Sequence, residues 1–200
     1  VKVANQFSKK FGSHWIKIKF YQQLPSDFSL TSEEPISFCR ATRKALIKPV
    51  VISSDNLNCP GAKYVFGWHK NRDKIMQKCH SSSGMSLSLI TKIFNKIDCF
   101  QQSIVAIGLN MSGVPDVLLS YLSPLQASLL IKAYEKSQAE KIEVAPSSLM
   151  SICGGLIAKS YYNQRLNLSF AGGYSRKCAK LSPDFLAAAV PSNLFDLLLN

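Results

Sequence analysis

Between Val117 and Tyr134 the hydrophobic period changes within one residue step, so the chain must run from a strand directly into a helix. Residues 117–122 (VLLSYL) form a short apolar run that suits a strand. Ser123-Pro124-Leu125-Gln126 then supplies an N-cap hydroxyl, a proline at the first helical position and a capping-box glutamine. Ala127, Leu130, Ile131 and Tyr134 follow on one helical face. The same grammar recurs along the chain. Trp15, Lys17, Lys19 and Tyr21 alternate with Ile16, Ile18 and Phe20, the period of a half-buried strand, and a turn with Pro25, Ser26 and Asp27 follows. A helical stretch over 40–47 is ended by Pro49, which disfavours α geometry at Lys48 and leads into the β-branched strand 50–52. Further strands are predicted over 103–109, 142–145, 168–170 and 185–190. Helices are predicted over 68–97, broken at Ser81-Ser82-Ser83-Gly84, and over 153–162, 173–180 and 192–199. With 200 residues, 46% of them hydrophobic, the chain can bury a core without disulfide staples. The expected fold is a single mixed α/β (α+β) domain over 1–200, with a central mixed sheet covered by helices.

The cysteines stand at 39, 59, 79, 99, 153 and 178, too sparse for a small disulfide scaffold. None belongs to a C-x-x-C or other compact cysteine motif, so any shared site must be gathered by the fold. Cys39, Cys59 and Cys153 fall at predicted strand-to-helix junctions, where unpaired N–H groups and the positive helix end favour a thiolate. Pro60 places Cys59 at a helix N-cap, where serine, threonine, aspartate or asparagine serves better, which invites a chemical role. Packing is the plain alternative for each, since cysteine is among the most buried residue types. Cys178, in the last basic helix, is a candidate fourth ligand, whereas Cys79 and Cys99 read as incidental. Gly61, Gly154, Gly155 and Gly172 beside these junctions are expected to let backbone approach closely. Two echoes suggest an internal pseudo-duplication of strand-Cys-Gly-helix units. Val50 to Ala62 resembles Val144 to Leu156, and Ile36-Ser37-Phe38-Cys39 resembles Leu168-Ser169-Phe170-Ala171.

Five segments occur in a familiar order. They are Ser37-Phe38-Cys39-Arg40-Ala41, Asn58-Cys59-Pro60-Gly61-Ala62 with Phe66-Gly67, and Pro115-Asp116-Val117 through Ser123-Pro124-Leu125-Gln126-Ala127, then Cys153-Gly154-Gly155 and Ser169-Phe170-Ala171-Gly172-Gly173 up to Arg176. This combination, over about residues 10 to 200, resembles the uncharacterised prokaryotic ArCR family, domain of unknown function 169. The resemblance implies an anaerobe-associated cytoplasmic protein with a cysteine in each junction segment. Ala171 stands where that family usually has one, so a four-thiolate site would need Cys178 in its place.

Three gathered thiolates suit an iron–sulfur cluster of the [4Fe–4S] type with one iron open, or a soft metal such as zinc or copper. The expected role is that of an accessory or electron-transfer factor in anaerobic metabolism, which either holds such a cluster or uses the cysteines themselves as redox-active thiols. Cys39, Cys59 and Cys153 are thus the proposed metal ligands. A zinc set of Cys59, His69, Cys79 and His80 matches no structural zinc spacing, and His14 and His69 read as surface histidines. A second reading makes Cys59 a low-pKa nucleophile of an enzyme. Phosphate-loop, dinucleotide and serine-hydrolase motifs are missing from the sequence, and Gly172-Gly173 with Ser175 and Arg176 offers only a commonplace anion-binding turn.

Charge supplies a third reading. Lys and Arg number 24 against 12 Asp and Glu, net +12, and residues 1–100 carry 16 basic and 6 acidic of them. Arg40, Arg43, Lys44 and Lys48, then Lys63, Lys70, Arg72, Lys74 and Lys78 beside Tyr64 and Trp68, suit a metal-free module that docks an acidic redox or complex-forming protein, ahead of nucleic acid. Residues 1–15 are polar and basic without the apolar core of a secretory signal, and no apolar run has the length of a bilayer span, so a cytoplasmic location away from membranes is expected.

Overall fold

The computed structural model describes residues 2–24, 34–69, 71–101, 104–142, 144 and 147–200. The alternating and β-branched runs form strands β1 (Trp15–Tyr21), β2 (Val50–Ser53), β3 (Ala106–Leu109), β4 (Val117–Leu122), β5 (Asn167–Ser169) and β6 (Leu186–Pro191). They make one six-stranded sheet, ordered β2-β3-β1-β4-β6-β5. The mixed α/β class expected from the sequence is the class observed. The sheet itself is antiparallel at every named pairing rather than mixed in direction. The reason lies in the crossovers. The connections β1 to β2, β3 to β4 and β4 to β5 each skip one place in the sheet, and the skipped place is filled by a strand of opposite direction.

Helices cover both faces. On one, α1 (Lys2–Phe11), α6 (Pro124–Gln138) and α9 (Phe195–Leu199) bury Phe7, Phe11, Leu130 and Leu198 against Trp15, Leu118, Ala188 and Val190. On the other, α2 (Phe38–Ala45), α3 (Pro60–Val65), a π-helical turn Cys153–Ala158 continuing into α7 (Lys159–Asn163), and α8 (Gly173–Ala179) pack on Ile16, Ile18, Ile52, Ile107, Leu119, Ala187 and Ala189. The strict alternation of Ala187 and Ala189 against Ala188 and Val190 is the pleat of a strand buried on both faces. Helices α4 (Arg72–Ser83) and α5 (Leu87–Phe94) form a satellite cluster through Ile75, Ile90 and Phe94.

Local chemistry sets the boundaries. Ser123 and Gln126 close the expected capping box on α6. Gly84, with φ of 69°, ends α4 in the left-handed conformation that glycine adopts freely, which is the break predicted in that region. Helix α1 has no counterpart among the predicted elements, although Ala4, Phe7 and Phe11 share its buried side. Val144 lies in no strand; Glu143 and Ala145 of the strand expected in the second half of the Val50 echo lie outside the described residues, as do Pro25, Ser26, Asp27, Lys70 and Ser103. The echoing segments also stand in opposite order in the two halves of the chain, which a simple tandem duplication does not produce.

Arg176 stitches the α8 region together. Its guanidinium donates to the carbonyls of Phe170, Ser182 and Phe185 at 2.9, 2.8 and 2.7 Å. The anion-binding turn considered for Gly172-Gly173 and Arg176 therefore has its cation already committed to backbone. Gly172 is needed for contact rather than for an anion, because a Cβ there would lie 2.1 Å from the Ser148 carbonyl oxygen. At Gly173 nothing lies within 4 Å of the same position. Gly172→Ala is thus expected to destabilise the fold by ~1–3 kcal/mol or more, while Gly173→Ala stays within ~0.5 kcal/mol of the parent. Urea unfolding of the two variants checks this pair.

Candidate functional site

Three backbone contacts bring the junction cysteines to one place. Ile36 N–H donates to the Asn56 carbonyl at 2.8 Å and Asn58 N–H to the Ile36 carbonyl at 3.0 Å, an isolated parallel bridge between Ile36 and Leu57. The bridge lays the Cys39 segment beside the Cys59 segment. Helix α3 packs on the π-helical turn that opens at Cys153, and α2 packs on α8. The close fit of α3 and the π-turn depends on missing side chains: a Cβ on Gly61 would sit 2.9 Å from Met150 Cγ, and one on Gly154 would sit 2.7 Å from Ile97 Cγ2 and 3.1 Å from Val65 Cγ2. Gly155 does not share this role, since its nearest neighbour would be at 3.7 Å, an ordinary contact, because it faces the Ser147 turn rather than a helix.

The result is a cleft of about 520 Å³ lined by Cys39, Cys59 and Cys153 together. The lining also contains Cys79, Met85, Met150, Lys78, Tyr174 and Ser175, and its described residues include no carboxylate and no imidazole. Cys178 is not among them. It lies half-buried near the end of α8, beside Tyr174 and within electrostatic range of Cys39 and Cys59. Ala171 is held in the left-handed region with φ of 58°, its N–H donated to the Ser169 hydroxyl at 3.1 Å.

Cys79 was legible only as incidental, yet it opens onto the cleft. Its signal is the face that Ile75, Lys78, Cys79, Ser82 and Ser83 share on α4, all of them cleft residues. The zinc alternative separates instead. Cys59 and Cys79 line the cleft, whereas the ring of His69 accepts the Asn71 N–H and that of His80 meets the Met85 carbonyl at 2.6 Å, both outside the cleft lining.

Electrostatics reverses one expectation. Ser37, not Cys39, caps α2, its hydroxyl accepting the Arg40 N–H, and Cys39 is buried one residue inside the helix. Cys59 does occupy the N-cap of α3, without a capping hydrogen bond of ordinary geometry. Burial raises its pKa, and the pull of the Ala62 and Gly61 N–H groups does not offset that. Burial likewise pushes the Cys39 thiol up to about 12, although a hydrogen bond from Ser175 acts the other way. Cys153 is driven well above the ordinary range by burial first and then by repulsion from Cys59 and Cys39. Desolvation outweighs the helix termini, so burial favours the neutral thiols and the N-cap position does not lower the pKa of Cys59.

All six cysteines are free. In the side-chain conformations present, no three His, Cys, Asp or Glu side chains among the described residues stand close enough to hold a metal ion. Simultaneous ligation therefore requires the thiols to turn toward one another. The donor set otherwise fits a thiophilic centre, because a bound cation lets desolvated thiols ionise and cancels their mutual repulsion.

The raised pKa values link thiol burial to stability. A thiol that titrates near 12 in the fold and near 9 when unfolded keeps its proton longer in the native state. Its contribution is complete below pH 9 and disappears as pH rises toward 12, at up to ~1.4 kcal/mol per pH unit. Denaturant titrations of reduced protein at pH 8 and pH 10 are expected to show this loss, and Cys39→Ala is expected to show a shallower one.

The basic segments are partly committed to structure. Trp68 packs on the core and its indole donates to the Ile104 carbonyl, Tyr64 packs its ring tilted against that of Phe94, and Arg72 bonds Asn95. The aromatic pair is thus not free for base stacking. No helix among the described residues is long and apolar enough to cross a membrane.

No curated protein and no solved structure matches the chain. The family model described as Uncharacterised ArCR matches residues 13–200, taking in every segment that forms the cleft. The thiol-lined cleft is therefore borne by a chain that belongs to the uncharacterised ArCR family.

Proposed function

We propose that this is a cysteine-cluster protein whose cleft binds a thiophilic centre through Cys39, Cys59 and Cys153, in an accessory or electron-transfer role in the cytoplasm of anaerobes. The observation that carries the reading is the opening of three thiols, far apart in sequence, onto one cleft whose described lining offers sulfur and no competing carboxylate or imidazole. An iron–sulfur cluster and a single soft cation are the two members of that class. Either would be held by the three cleft thiols, with Cys79 of the same lining and Cys178 of α8 as supplementary donors. When bound, a cluster supplies one-electron chemistry and a soft cation supplies Lewis acidity or cargo. The chain's own part is to desolvate the thiols, exclude water with Phe38, Ile75 and Leu149, and leave a mouth open beside Lys78 and Tyr174.

The partner reading follows from the same mouth. Lys78 is the charged residue of the described lining and sits on the basic first half of the chain. That charge favours an acidic redox or complex-forming protein, and the packed state of Trp68 and Tyr64 weighs against nucleic acid.

Protein purified under strict anaerobiosis and then offered either iron with sulfide or a soft monovalent cation is expected to retain one of them at a stoichiometric level. The triple variant Cys39→Ser, Cys59→Ser, Cys153→Ser is expected to retain neither while keeping its far-ultraviolet circular dichroism. Parent protein that retains nothing under both treatments contradicts the reading.

A further inference from the structure

We infer that the centre is a single soft cation of the copper(I) class, held by two or three of the cleft thiols together with the thioether of Met150. The inference rests on the cleft reading above and narrows it.

Met150 is placed with unusual insistence. Its backbone stands in the left-handed region with φ of 47°, which an unbranched side chain without a local hydrogen bond rarely adopts. Its carbonyl accepts both the Gly154 and the Gly155 N–H, at 2.9 and 3.0 Å, which fixes the residue at the root of the π-turn that begins with Cys153. From there the side chain reaches across to the turn of Cys59-Pro60-Gly61. The position a Cβ would take on Gly61 is 2.9 Å from Met150 Cγ and 3.3 Å from its Sδ, so the sulfur lies against that turn only because residue 61 is glycine. The thioether thereby occupies the wall between the Cys59 and Cys153 segments, in the same cleft lining as both.

A leucine would fill that wall equally well if only hydrocarbon were wanted. Sulfur adds a polarisable donor, and the type of cation that uses it is narrow. Structural zinc takes thiolate, imidazole and carboxylate, and iron–sulfur clusters take thiolates, whereas copper(I) accepts thiolate and thioether together. A second thioether, Met85, lines the same cleft and extends the sulfur surface toward α4.

The test uses the full chain, reduced and handled without oxygen, and copper(I) itself in competition with a chromophoric copper(I) chelator. The parent is expected to take one copper(I) per chain, and Met150→Leu to bind it roughly tenfold or more weakly while unfolding at the same urea midpoint. Because that substitution alters packing, a second measurement works on the parent alone. Selenomethionine-substituted protein loaded with copper(I) is expected to show a copper neighbour at the selenium absorption edge. Copper(I) bound with parent affinity by Met150→Leu and no copper seen from selenium would overturn the thioether while leaving the thiol cleft intact. Stoichiometric iron and sulfide without copper(I) uptake would overturn the choice of cation, again leaving the cleft. Binding of neither would remove both readings.

Discussion

Two hydrogen bonds, from Ile36 N–H to Asn56 and from Asn58 N–H to Ile36, tie the segment before α2 to the segment before α3, and the site depends on that tie. Neither segment is part of the main sheet. α2 also packs on α8 and on the sheet, and α3 on the π-turn and α4, but the bridge is what sets the Cys39 and Cys59 segments side by side. With it, five pieces of chain from distant parts of the sequence become walls of one cleft. Small residues then set how closely the walls approach. Gly172 admits the Ser148 carbonyl, Gly154 admits Val65 and Ile97, and Gly61 admits Met150.

That closeness has an electrostatic consequence. Helix starts attract negative charge, and Cys59 does feel the N–H groups of Gly61 and Ala62, yet the loss of water around the sulfur is the larger effect and raises its pKa. The three cleft thiols also repel one another once charged. Burial therefore favours the protonated thiols, and on the reading proposed above only a cation that offsets both the lost hydration and the mutual repulsion displaces those protons.

Much of the fold was legible because period and punctuation agree. The alternation in Trp15–Tyr21, the capping box at Ser123 and Gln126, and the proline after Cys59 each act within a few residues, and each element forms where those signals place it. Direction in the sheet was not legible, because it depends on which places the crossovers skip. The convergence of Cys39, Cys59 and Cys153 could be anticipated from their shared junctions, but Cys79, Lys78 and Met150 could not. Helical spacing puts Lys78 and Cys79 on one face of α4 with Ile75, but what that face meets, and where Met150 reaches, depends on the packing of α4 and of the π-turn. The thiolate expected at helix starts failed for a related reason: burial is a property of the assembled walls.

For the cleft to hold one thiophilic atom, the sulfurs of Cys39, Cys59 and Cys153 must be able to converge on it. Trivalent arsenic bridges thiols only where they can meet, and mass spectrometry of the reduced full chain reads its uptake. If the sulfurs converge, one arsenic binds per chain, Cys39, Cys59 and Cys153 are shielded from alkylation, and replacing any one of them abolishes uptake. Arsenic that is not taken up, or that is held with these three cysteines still open to alkylation, would contradict that convergence.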